Sequence, residues 1–516
     1  MYDYVIVGAG SAGCVLAARL SEDPDVKVAV LEAGGQDSRP EIAMPIAFPM
    51  LLKSSVDWDL YGEEEPGLGG RRLYLPRGKV VGGSGSINAM IYVRGNRADF
   101  DGWAAGGADG WSYDEVLPYF RRSEDNERGE DEFHGAGGPM SVSDSRSMSP
   151  LIETMIEASV LAGLEHNPDF NGASQEGVGR FQLTQRDGRR CSTAEAFLHP
   201  ASGRPNLDVI TDAMALRILF DGARAVGVEV VRNGKVEEIR AQREVVLSAG
   251  AYQSPVLLMI SGIGPAEDLE PYGIEVRENL PVGHNLQDHL MAQLNYETDE
   301  PSLFGTFTPE NIELFEKEGR GPLTSNIPEA AAFFRTRPEL EAPDIEFHYA
   351  PSMFYDQGLT APHDSGYCFG PVVVKPASRG WVKLRAPLPD SKPRVLCNFL
   401  TTEEDRRSVI AGVRRALEIA EQEPMKKVMR RPFSVPAGDS DEQIIDWVRR
   451  AAQTVYHPTS TCAIGAVVDP QLRVFGVDGL RVADASVMPT ITRANTNAAT
   501  IMIGEKAADL IRAETT

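Results

Sequence analysis

The first thirty-odd residues constrain the fold more than any other stretch. Residues 2–8 are an apolar, β-branched run that ends at a glycine. Gly8-Ala9-Gly10-Ser11-Ala12-Gly13 follows, then an apolar helical stretch from Cys14 to Leu20. A second apolar run, Val26-Lys27-Val28-Ala29-Val30-Leu31, ends at Glu32 and Ala33. This order spells a βαβ unit. Its glycines permit the tight turn and bring backbone close to a pyrophosphate at the helix N-terminus. Glu32 stands 19 residues after Gly13, where a carboxylate accepts hydrogen bonds from an adenosine ribose. An acid there favours FAD or NAD over NADP.

No second fingerprint of this kind follows a strand. Gly262-Ile263-Gly264 runs into Pro265, and Gly177-Val178-Gly179 runs into Arg180. One bound dinucleotide is therefore expected, with the hydride coming from another molecule. At 516 residues the chain is too long for one ordinary domain, and 42% apolar and 24% charged residues are globular values. The net charge of −24 argues against nucleic acid or an anionic membrane as the main partner. Five scattered cysteines without a CxxC pair suit a reducing compartment. With no signal peptide ahead of the first strand and no long apolar run, a cytoplasmic protein without membrane insertion is expected.

Residues 76–97 carry a second glycine-rich segment with Gly82, Gly83 and Gly85 among Ser84, Ser86 and Asn88. Taken as chemistry alone it fits either a flexible loop or a close approach to something flat or phosphorylated. As a run, RGKVVGGSGSINAMIYVRGNRADFD resembles the first signature of the glucose–methanol–choline (GMC) flavoprotein oxidoreductases. Residues 249–265, AGAYQSPVLLMISGIGP, resemble the second signature, and VGHNLQDH at 282–289 follows it as in the family. Tyr456-His457-Pro458, residues 480–489 and Asn495-Thr496-Asn497-Ala498 complete the likeness, which is nearest the bacterial alcohol-, choline- and hydroxymethylfurfural-oxidising branch.

The resemblance implies an α/β chain: a Rossmann-like FAD-binding domain with a second, α+β substrate domain built on an antiparallel sheet. The FAD-binding domain would take 1–147, 189–297 and 455–516, and the substrate domain 148–188 and 298–454. Local signs agree. Asn233-Gly234 between two β-rich runs predicts a hairpin with a type I′ turn. Residues 298–325, polar and punctuated by Pro and Gly, read as a crossing between domains. Val409, Val413, Ala416 and Ile419 share one face of a helix expected over 403–424.

Eight histidines occur, with no pair at helical ligand spacing and no HExxH, so no metal site is expected. No GxSxG elbow supports serine hydrolysis. On spacing alone, His457 reads as a core or cap residue closing a helix over Ile444–Val455. The GMC resemblance gives it another role: a base or hydrogen-bond partner facing the flavin, paired with Asn495. It further implies FAD contacts from Gly8, Gly10, Ser11, Ala12, Gly13, Glu32, Ala33, Val81, Gly83, Asn88, Ala89, Met90, Ala215, Ala249, Asp484, Ala485, Asn495 and Thr496. Ile87 occupies the position where some relatives link FAD through histidine, so non-covalent FAD is expected. Substrate-pocket candidates are Met90, Glu329, Phe369, Val455 and Tyr456. The implied reaction oxidises an alcohol, a primary one, to the aldehyde, with O2 or another electron acceptor taking the electrons onward. Its base should titrate near neutrality. The alternative is a lyase of the hydroxynitrile lyase type that retains FAD without redox chemistry.

Overall fold

The computed structural model describes residues 1–147 and 149–514. Tyr2–Val7 is a central strand, because its four last residues are buried on both faces. It pairs in parallel with Val28–Leu31 on one side and with the end of Lys235–Leu247 on the other. Leu207–Ile210 and Leu480–Val482 extend the parallel layer outward. The long strand Lys235–Leu247 also pairs antiparallel with Arg224–Arg232, and that strand with Ala213–Asp221. The hairpin at Asn233-Gly234 forms as expected, with φ of +51° and +71°. Two consecutive positive φ values are what a type I′ turn requires.

A second, eight-stranded sheet is antiparallel throughout its main path. Its order is Arg431–Ser434, Leu294–Glu297, Gly366–Val373, Ile345–Ala350, Ala330–Phe334 and Gly177–Arg180. Leu290–Met291 pairs with Gly366–Val373 and with Gln453–Thr454, so this sheet also takes strands from 290–297. The α/β class with a parallel nucleotide-binding layer and an antiparallel companion is thus realised.

The helix Glu403–Ala420 buries Val409, Val413, Ala416 and Ile419 together, ends at Glu421, and a separate helix, Glu423–Val428, starts with Pro424 in its first turn. Between 298 and 325 the chain forms the helix Pro309–Glu318, N-capped by Thr308 Oγ1 accepting from Asn311 N at 3.3 Å. The helix expected to reach Val455 stops earlier. It spans Asp441–Ala451, and Gln453–Thr454 turns extended to pair with Leu290–Met291. Sheet pairing wins there because it satisfies backbone groups in a buried region, which a continued helix would take away from the sheet.

The C-terminal helix Asn497–Ala513 lies against Ser11–Leu20. Gly504 permits this: a Cβ there would come within 3.0 Å of Ala12 O. Glu505, with no side-chain exposure, takes Arg19 Nε at 3.0 Å and Arg122 Nε at 2.8 Å. The turn before the first helix is tighter still. A Cβ at Gly13 would meet Gly8 O at 1.9 Å, against backbone that cannot swing away. Gly13→Ala should therefore destabilise the fold by about 3 kcal/mol or more, the upper range for overpacking. Denaturant unfolding against wild type measures it.

Candidate active site

The ends of the parallel strands, the 82–90 segment and the start of the C-terminal helix surround one cavity of about 300 Å³. At one end lie Gly8, Gly10, Ser11, Ala12, Glu32, Ala33 and Ala215, as the βαβ reading requires. Glu32 is buried, accepting from Gly34 N at 2.8 Å and Ala9 N at 3.1 Å. Burial raises its pKa to about 7. Of the expected residues, Gly83, Asn88, Ala89, Met90, Ala249, Asp484, Ala485, Asn495, Thr496, Val455, Tyr456 and His457 also line the wall.

Four expected residues do not. Gly13 and Val81 sit just behind the lining, Val81 fully buried among core side chains. Phe369 stacks on Tyr349 and Tyr296, ring centroids 5.7 and 5.9 Å away, on the other face of its strand. Glu329 is fully buried beside Ser325, whose Oγ donates to Oε1 at 2.6 Å. It is not part of the cavity lining.

The glycines separate two causes. At Gly83, with φ of +55°, a Cβ would meet Gly10 Cα at 2.7 Å, so protein packing alone demands glycine. At Gly10 a Cβ would find nothing nearer than 3.8 Å, and φ is −82°. The protein leaves that space open beside a helix N-terminus, which is the cradle a pyrophosphate would fill. Ser11 Oγ donates to Asn497 Oδ1 at 2.6 Å, tying this loop to the C-terminal helix. Thr496 occupies the N-cap position without a side-chain cap bond.

At the far end, His457 and Asn495 meet. Asn495 Nδ2 lies 3.2 Å from His457 Nε2, and Asn495 Oδ1 is buried without a partner. The backbone holds His457 in place: its N–H donates to Asp288 Oδ1 at 2.8 Å, and Tyr456 before it has φ of +68°. Asp288 has its own pKa raised to about 6 by burial.

Sequence reasoning missed His289. Its Nδ1 lies 3.0 Å from His457 Nδ1, the rings at 88°. An amide N–H pointing at Nε2 requires a lone pair there, so neutral His457 carries its proton on Nδ1 and donates it to His289. The signal was present in the 282–289 motif, but no spacing rule links residues 168 apart.

Burial and then the facing His289 push His457 well below the ordinary histidine pKa. His289 is pushed down to about 3, chiefly by burial. The titration expected near neutrality therefore moves to more acid pH. Both groups bind protons more weakly folded than unfolded. Stability is whole above the unfolded pKa of about 6.5 and falls below it, by about 1.4 kcal/mol per pH unit for each depressed imidazole. His457→Gln should lose less stability than wild type between pH 7 and pH 5 in denaturant titrations. An equal loss would place both titrations elsewhere.

Residues 2–291 match the N-terminal family model described as GMC oxidoreductase, and residues 376–504 match the C-terminal one. The chain is 41% identical to an alcohol dehydrogenase [acceptor] of Pseudomonas putida, covering 99% of this chain and 96% of that one. It is 43% identical to an oxygen-dependent choline dehydrogenase of Rhizobium etli, covering 99% and 95%. Among solved structures, pyridoxine 4-oxidase from Mesorbium loti superposes with a TM-score of 0.91 at 34% identity, covering 99% of both chains. A nucleotide cradle at one end of the cavity and a histidine–amide pair at the other agree with these matches over the full chain, which belongs to the GMC oxidoreductase family.

Proposed function

We propose that the cavity holds FAD non-covalently and that the chain oxidises a primary alcohol to its aldehyde, with His457 and Asn495 at the reacting end. The carrying observation is the His457 Nε2 lone pair, held toward the cavity and within 3.2 Å of the Asn495 amide. Bound FAD supplies the hydride acceptor. A hydride leaves carbon readily only when the attached oxygen gains negative charge, so the hydroxyl proton must be removed. His457 Nε2 accepts that proton. Asn495 donates to the oxygen without adding charge. The resulting imidazolium keeps its Nδ1 proton on His289, which stays neutral because burial depresses its own protonation.

Ile87 supports non-covalent attachment, since a hydrocarbon side chain offers no nucleophile. It is 5% exposed and packs in a cluster with Ile42, Leu51, Val56 and Val80. The five cysteines, all buried and free, fit a cytoplasmic protein, and no described helix is long and apolar enough to cross a membrane. The division into two discontinuous domains, 1–147 with 189–297 and 455–516 against 148–188 with 298–454, belongs to the same proposal.

Two tests follow from this chemistry. Acid precipitation should leave yellow FAD in the supernatant, and Gly10→Ala should fold with near-normal stability yet purify with little flavin. Flavin in the pellet, or a fully yellow Gly10→Ala protein, contradicts the cofactor reading. In anaerobic stopped flow, His457→Ala should retain FAD but slow reduction by an alcohol about 10²–10⁴-fold. Asn495→Ala should cost about 10²–10³-fold, the scale of one lost donor. Wild-type reduction should rise with pH below about 6.5, since the base pKa is depressed from that reference value. Asn495→Ala should keep that rise and His457→Ala should lose it. Near-normal reduction in His457→Ala would put the base elsewhere.

A further inference from the structure

The antiparallel sheet forms the floor of the cavity opposite the cradle. The pairs Leu290↔Val373 and Met291↔Val372 resume in the same register at Leu294↔Phe369, past an interruption at residues 292–293 bridged by Ala292 N donating to Pro371 O at 2.9 Å, which sets Gln293 opposite Gly370. Gly370 in turn pairs with His348 on the next strand. Directly opposed residues share a face, so Gln293 and His348 stand on the floor with only a glycine between them. Two strand spacings separate their backbones, about 10 Å. Gly370 cannot be otherwise: a Cβ there would meet Ala292 O at 2.2 Å. The next row on this face is Cys368 and Ala350, both small and both lining the cavity.

Gln293 and His348 also line the cavity, and both are more than nine-tenths buried. Gln293 Oε1 has no hydrogen-bond partner among the described residues. A buried amide oxygen left unmet costs about 1–3 kcal/mol, a penalty that a ligand donor would relieve. The terminal amide torsion is soft, so rotation presents either its oxygen or its nitrogen. His348 is oriented by a neighbour on its own strand: its Nε2 lies 3.2 Å from Oε1 of the fully buried Glu346. That contact makes Nε2 the donor and leaves Nδ1 as an acceptor.

Charge decides what these groups can recognise. Among the described residues lining the cavity, the only carboxylates are Glu32 and Asp484. Glu32 lies at the cradle end. Asp484 is engaged by Gly250 N at 2.8 Å, Ser254 Oγ at 2.6 Å and Ser486 N at 2.8 Å. The walls near the sheet are Met291, Ile327, Phe354 and Val455. A buried cation there would lose its hydration and meet no carboxylate on this part of the cavity wall, since Glu346 lies outside the lining and already accepts from His348.

We propose that Gln293 and His348, flanking Gly370, form a polar subsite that selects uncharged alcohols carrying a second hydrogen-bonding group, rather than quaternary-ammonium alcohols. This rests on the reading of the chain as an alcohol-oxidising flavoprotein. The holoenzyme is tested anaerobically, by flavin bleaching, with alkan-1-ols, α,ω-diols of matched length, and choline. At the best-fitting length the diol should exceed its matched alkanol in kcat/KM by about tenfold, one hydrogen bond's worth, and choline should be the poorest. Gln293→Met and His348→Phe should each shrink the diol-to-alkanol ratio. A wild type that prefers choline, or shows no diol preference at any length, overturns the subsite without any variant. So does a ratio unchanged in both variants while bleaching persists. A wild type bleached by no alcohol overturns the oxidoreductase reading, and this one with it.

Discussion

Backbone-to-backbone contact between two glycines holds the molecule's centre together. Gly83 lies against Gly10 so closely that a side chain on Gly83 would meet Gly10 Cα at 2.7 Å. Gly82 N reinforces the contact by donating to Ala9 O at 2.7 Å. The two segments lie some seventy residues apart, and Gly82 and Gly83 both take positive φ where they meet. The contact fixes where the 82–90 segment lies over the parallel strands, and hence where Asn88, Ala89 and Met90 enter the cavity. Arg190 then pins Asn88 by donating to its Oδ1 at 2.8 Å. The C-terminal helix closes the arrangement from the other side through Ser11 and Asn497.

The reacting end is built by different means. It depends on side chains converging from Asp288-His289, Tyr456-His457 and Asn495. Strand pairing of Leu290–Met291 with Gln453–Thr454 brings the first two together. Val455 N adds a bond to His289 O at 3.1 Å. Asp288 holds the His457 backbone, and the Asn495 amide sets which ring nitrogen carries the proton that His289 accepts. Burial rather than a charged partner governs this imidazole, lowering its pKa and keeping it neutral at and above the ordinary histidine pKa.

What the sequence revealed follows from the range of each interaction. The βαβ unit, the Asn233-Gly234 turn and the 403–420 helix are local patterns, written within about thirty residues each. They were legible without structure. The GMC motifs pointed to His457 and Asn495, and the structure brings both to one cavity. The end of the helix before His457 was not legible. Propensity continues to Val455, and only pairing with a strand more than 160 residues away stops it. That Phe369 and Glu329 stand outside the cavity lining was not legible for a related reason. In a sheet buried on both faces, alternation no longer tells which side of the strand meets a ligand. Gln293 and His348 reach the cavity, and His289 reaches His457, through long-range register alone.

The two ends of the cavity therefore answer to different constraints. At the cradle the contacts are backbone atoms and glycines, where a substitution removes a fit that any dinucleotide of this shape requires. At the sheet the contacts are side chains such as Gln293 and His348, open to exchange while Gly370 between them is fixed by Ala292 O. Relatives whose names specify choline and alcohol substrates share this chain's length and family. The register of the sheet makes such divergence physically simple. Residues 291, 293, 348, 350 and 368 point one way, while Phe369 and Tyr349 hold the core on the other. Exchanging the outward set alters what the cavity recognises, and the inward set preserves the fold that aims His457 at it.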